Sequence, residues 1–131
     1  MEIHLPAVIE DGSVGLQRSS AAIRVPRYEE LLVVLHVQYP SGVAFTPAIG
    51  DSGVLTIKKS SEQITVSAKQ GLQKTTTFSK NVLSFALTST EVGSLPAGRY
   101  VWDAWLIHSD TSRVCIVELG EFFVMPTTTR M

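Results

Sequence analysis

The chain has 131 residues, 44% of them hydrophobic and 18% charged, with a formal net charge of −1 at pH 7. A chain of that length buries roughly two-thirds of its unfolded surface, its mean hydropathy of +0.19 excludes a disordered chain, and its charge provides no broad field for nucleic acid or an anionic membrane. The single cysteine, Cys115, excludes an intrachain disulfide and a cysteine-based zinc site, so one domain spanning residues 1–131, with no cofactor, is expected to hold by its apolar core alone.

From the N-terminus, Met1-Glu2-Ile3-His4 and then Pro6 and Glu10-Asp11 lack the positive and apolar regions of a secretory signal, which predicts a soluble protein made in the cytoplasm. Ala21 to Val25 reads as an early strand with Ile23 and Val25 on one face, and Pro26 limits its use as a central strand. Glu30 to Tyr39 is the strongest strand signal. Leu31, Val33, Leu35, Val37 and Tyr39 make one apolar face, while Leu32 and Val34 give way to His36 and Gln38 on the other. The apolar run Leu31 to Val37 is far shorter than the roughly 20 residues of a membrane-spanning helix.

A turn-rich stretch from Pro40 to Gly53 leads into Val54 to Lys58, and Gln63 to Ser67 follows closely enough for a hairpin. The lysines 58, 59, 69, 74 and 80, with Glu62 the one acid among them, suit polar strand faces and edge protection. Thr75-Thr76-Thr77 reads as an edge strand or loop. Val82 to Leu87 places Leu83, Phe85 and Leu87 on one face, and Thr88 to Glu91 starts one helical turn, capped by Ser89 or Thr90 and ended by Gly93.

Leu95-Pro96-Ala97-Gly98 suits a tight turn. The next strand, Tyr100 to His108, puts Tyr100, Trp102, Ala104 and Leu106 on one face and Val101, Asp103, Trp105 and Ile107 on the other. After Ser109-Asp110-Thr111-Ser112 the final strand runs to Met125. In it Cys115, Val117 and Leu119 share a face, whereas Phe122 and Val124 have the opposite parity. A bulge at Gly120-Glu121 is expected to absorb the extra residue. In its apolar run Cys115 reads as a small buried hydrophobe. Short strands with frequent turn residues and no long helical stripe predict an all-β antiparallel sandwich, immunoglobulin-like in outline.

Little in the chain reads as chemistry. His4, His36 and His108 stand apart in sequence, none at metal-ligand spacing, and no metal is expected. There is no nucleophile elbow, P-loop, dinucleotide fingerprint or calcium loop. Glu29-Glu30 point to opposite faces of a strand, which makes them poor partners for acid–base work. A non-enzymatic chain without catalytic residues is the expectation.

One segment carries a resemblance. From Leu95 to Val124, a turn with Pro96 and Gly98 is followed by Tyr100, Trp102 and Asp103, a polar turn, and then Gly120, Phe122 and Val124. This resembles the closing hairpin of the β-sandwich domain at the N-terminus of phage baseplate upper proteins. Members commonly have Asp-Gly in the hairpin turn where this chain has Asp110-Thr111, which implies a longer loop here. The resemblance implies a structural subunit of a tail, baseplate or head-fibre attachment. Such a subunit is made in the host cytoplasm, resides in the virion, and assembles with itself or other virion proteins. It implies a core of Tyr100, Trp102, Phe122 and Val124. Val101, Asp103, Trp105 and Ile107 are then expected to form an outward docking patch anchored by Trp105. The alternative is a small binding module, for example for carbohydrate, with Trp105 beside Asp103 as its platform.

Overall fold

The computed structural model describes residues 1–9, 21–59 and 71–127. Period-two burial marks most of them as strand: β1 (Glu2–Val8), β2 (Ile23–Pro26), β3 (Leu31–Gln38), β4 (Ser52–Lys58), β5 (Gly71–Ser79), β6 (Val82–Leu87), β7 (Gly98–Ile107) and β8 (Arg113–Met125), with one short helix, α1 (Ser89–Gly93). No helix among the described residues is long and apolar enough to cross a membrane. The strand expected at Gln63 to Ser67, with its hairpin to β4, lies outside the described residues, as does the Leu119 side chain.

The described strands form one sheet in the order β1-β3-β6-β5-β4-β7-β8-β2, curled into a half-barrel. The curl brings the apolar rows of β3 (Leu31, Val33, Leu35, Val37), β6 (Leu83, Phe85, Leu87), β4 (Leu55, Ile57) and β7 together as one core. The sheet is mixed, which corrects the expectation of purely antiparallel pairing: β1 runs parallel to β3, and β2 parallel to β8. β2, which intervenes between β1 and β3 in the chain, lies at the opposite end of the sheet. Two reversals therefore separate β1 from β3, and both run the same way.

The backbone settles which groups the terminal strands turn inward. Leu32 N donates to Met1 O (2.9 Å) and Ile9 N to Gln38 O (2.8 Å), so the odd-numbered residues of β1 bond to β3 and Pro6 faces away from it. Arg27 N donates to Met125 O (2.9 Å), which turns Pro26 away from β8 in the same manner. A residue without an N–H is tolerated at such positions because the ladder needs no donor there.

Further expectations are narrowed or corrected. Of the edge strand or loop expected at Thr75-Thr76-Thr77, the structure has strand: the segment belongs to β5, whose residues 71–77 pair with β4, while its register with β6 is confined to Phe78 and Ser79. Among the described residues the threonines therefore have strand partners on one side, as at an edge, and threonine suits a pleated, half-buried surface. The cap of α1 is Thr88, whose side chain accepts from Glu91 N (3.1 Å) while Glu91 Oε1 accepts from Thr88 N (3.0 Å), a reciprocal capping box. Glu91 also takes Lys74 of β5 at 2.9 Å, and these bonds hold its carboxyl below the usual range.

The bulge is displaced as well. Pairing of β7 with β8 runs unbroken from Gly98↔Val124 through Val101↔Glu121 and Trp102↔Gly120, so Gly120 is not bulged. The register shifts lie just beyond, between Trp102↔Gly120 and Ala104↔Val117 and between Ala104↔Val117 and Trp105↔Cys115. Each gives β8 one more residue than β7, and together they put both Ile116 and Val117 into the core. Cys115 ends opposite Trp105, half-buried and outside the inward row.

Candidate interaction surface

Alternation along β7 divides its side chains into two populations. Tyr100, Trp102, Ala104 and Leu106 are buried, with Phe122 and Val124 of β8 beside them. The Tyr100 hydroxyl donates to Pro96 O (2.7 Å) and ties the strand to the turn before it. The Trp102 indole N–H donates to Ala21 O (2.8 Å). To reach that carbonyl the indole passes over Gly120: a Cβ there would overlap the Ala21 oxygen and stand 2.6 Å from Trp102 Nε1. Gly120 is therefore fixed by close approach across β7, β8 and the entry to β2, not by a bulge.

Val101, Asp103, Trp105 and Ile107 lie on the outer face of β7, each half-buried rather than exposed. β7 is an interior strand flanked by β4 and β8, so no sheet edge adjoins them. Across the ladders Trp105 stands opposite Val54 of β4 and Cys115 of β8, which makes an apolar row over three strands. Around that row the register places Lys58 and Glu121 beside Val101, Thr56 beside Asp103, and Ser52 and Arg113 beside Ile107. An apolar centre with a polar rim is the anatomy of protein interfaces. Burial pushes the Asp103 carboxyl above the usual carboxylate range, opposed by a hydrogen bond from Trp105 and by the charge of Lys58.

Two features escaped the sequence reading. The turn Ala48–Asp51 holds Ile49 at 99% exposure, because Asp51 accepts from Ala48 N (3.0 Å) and meets His108 Nδ1 (3.2 Å). Ile49 lines a shallow groove with Pro47, Asp51, Phe78 and Lys80. The histidines, separate in sequence, are not all separate in space. His4 Nδ1 lies 2.9 Å from His36 Nε2, and His4 Nε2 lies 3.1 Å from Glu2 Oε2. Only the parallel register of β1 with β3, which no local pattern encodes, reveals that pair.

No family model matches the sequence, and no curated protein is similar to it in sequence. Among solved structures the chain is similar to the N-terminal domain of phage TP901-1 ORF48, with a TM-score of 0.50 and 7% identity over 98% of this chain and 100% of that one. At such low identity the likeness concerns the fold alone, and at that level it agrees with the resemblance carried by residues 95–124.

Proposed function

We propose that residues 1–131 act as one non-enzymatic structural domain of a phage or prophage particle, in a tail, baseplate or head-fibre attachment. The domain works through protein–protein assembly with itself or another virion protein, without cofactor, nucleic acid or membrane. The finer fold assignment, an immunoglobulin-like sandwich, belongs to the same proposal. The observation that carries it is the fold likeness, end to end, to a domain of a phage protein. The Val54, Trp105 and Cys115 row with its polar rim supplies a surface suited to assembly. The carbohydrate-binding alternative has less support, because the polar edge of Trp105 is already engaged by Asp103.

Light scattering after size exclusion, on the chain alone and mixed with the proteins encoded beside it, tests this reading. Trp105→Ser is expected to weaken the association by about 2 kcal/mol or more with cooperative unfolding retained, since buried aromatic anchors dominate interfaces. Trp102→Ser, by contrast, is expected to cost about 3–5 kcal/mol of folding stability, a large share of the roughly 5–15 kcal/mol a domain possesses. A chain that stays monomeric with every such partner, or an association indifferent to Trp105, overturns the assignment of this face.

A further inference from the structure

The seven-residue pairing of β1 with β3 fixes the positions from which His4 and His36 project on the outer face of the sheet. His4 lies directly opposite Val34, and His36 lies opposite Pro6, so the two imidazoles are diagonal neighbours on adjacent strands. Their rings are near-parallel at 24° with centroids 5.2 Å apart, and the facing nitrogens, His4 Nδ1 and His36 Nε2, are 2.9 Å apart. Two metal–imidazole bonds of about 2.0–2.1 Å meeting at a right angle span about 2.9 Å, and at a tetrahedral angle about 3.3 Å. The observed separation is that of a hydrogen bond between the rings and also matches the narrow end of a chelating bite.

The second observation is independent of that distance. The other ring nitrogen of His4, Nε2, lies 3.1 Å from Glu2 Oε2. A carboxylate behind a histidine favours the proton on the nitrogen it faces and orients the ring; a carboxylate, carbonyl or water in that place stands behind most metal-ligating histidines. With the proton on Nε2, the tautomer that the carboxylate favours, His4 presents its Nδ1 lone pair on the side of His36.

We propose that His4 and His36 bind a divalent first-row transition cation, through Nδ1 and Nε2 respectively, with Glu2 orienting His4. The cation sits to one side of the line between the two nitrogens, each ring turning its lone pair toward it; the hydrogen bond between them is lost and His36 carries its proton on Nδ1 instead. Imidazole donors suit nickel, copper and zinc, whereas calcium and magnesium take oxygen ligands. Among the described residues no group of three or more His, Cys, Asp or Glu side chains is placed to hold a metal. Water or a donor from another molecule can fill the remaining coordination positions. The site lies on the β1–β3 surface, away from Trp105, and stands or falls separately from the assembly reading.

Isothermal titration calorimetry of the full chain with nickel, zinc and calcium chlorides tests it, with thermal unfolding of each variant as the check on folding. The wild-type chain is expected to take up one nickel or zinc ion per chain, or one per two chains if a second copy completes the coordination, and no calcium. His4→Ala and His36→Ala each abolish the uptake, Glu2→Gln weakens it by about tenfold, and His108→Ala leaves it unchanged. If His4→Ala destabilises the fold by uncovering Val34, His4→Gln keeps the volume and still removes the ligand. The proposal is overturned if the wild-type chain shows no saturable uptake of nickel or zinc. It is equally overturned if folded variants at position 4 or 36 bind as tightly as the wild type.

Discussion

At the scale of single residues, Gly120 and Trp102 show how one side chain decides another. The indole of Trp102 spans β8 to donate to the carbonyl of Ala21, and nothing larger than a hydrogen fits on residue 120 beneath it. Gly120→Val is expected to lower stability by about 2 kcal/mol or more, through overpacking and a buried indole N–H left without its acceptor. Urea unfolding gives the loss, and the indole N–H resonance of Trp102 reports the broken bond. A neutral substitution with that resonance unmoved would remove the close approach from the account. The glycine itself was conspicuous in the sequence, but its partners were not, because Ala21 and Gly120 become neighbours only through the parallel pairing of β2 with β8.

At the scale of elements, the alternation from Tyr100 to Ile107 was legible because every second side chain enters one core, and it sorted Trp102 from Trp105. The parity change in β8 was also legible; its position was not. A glycine marks where a bulge is permitted, while the demand to bury Ile116 and Val117 together fixed where the shifts fall. The β7–β8 connection spans residues 108–112; His108 N to Ser112 O (2.9 Å) closes a three-residue tip whose last residue, Thr111, has a φ of 71°. Such loops end on a left-handed residue, a role suited to glycine and costly for a β-branched side chain. Asp110 holds the turn by accepting from Ser112 N (2.9 Å) and Ser112 Oγ (2.6 Å), and these bonds lower its carboxyl from the ordinary value. Thr111→Gly is expected to stabilise the chain by about 1 kcal/mol, the relief of left-handed strain less the added freedom of the unfolded chain. A urea midpoint that stays put or falls would mean that the threonine is not strained there.

At the scale of the whole molecule, Asp103 links stability to pH. Its carboxyl is raised in the folded chain, first by burial, whereas in the unfolded chain it titrates near the ordinary value of about 3.9. Between those two values the folded state holds more protons, so Asp103 makes stability fall as pH rises through the window and contributes no further slope above it. Asp103→Asn is expected to gain on the wild type as pH rises from about 4 and then to keep a constant lead by pH 7. Glu91 and Asp110, lowered rather than raised, act in the opposite sense and are common to both proteins, so they cancel in the comparison. Thermal midpoints across the range test it, and a gap independent of pH would exonerate Asp103. The global path of the chain was the least legible part of the sequence, since β1 and β2 sit at opposite ends of the sheet through contacts that no local pattern announces. Those two strands have one property in common: each turns a proline outward, Pro6 from β1 and Pro26 from β2. A strand arriving at either margin from another copy would find no donor at that position, which discourages runaway polymerisation by edge addition. Two copies meeting margin to margin would then leave a gap in the ladder at each proline, so the sheet has a built-in stop at either end.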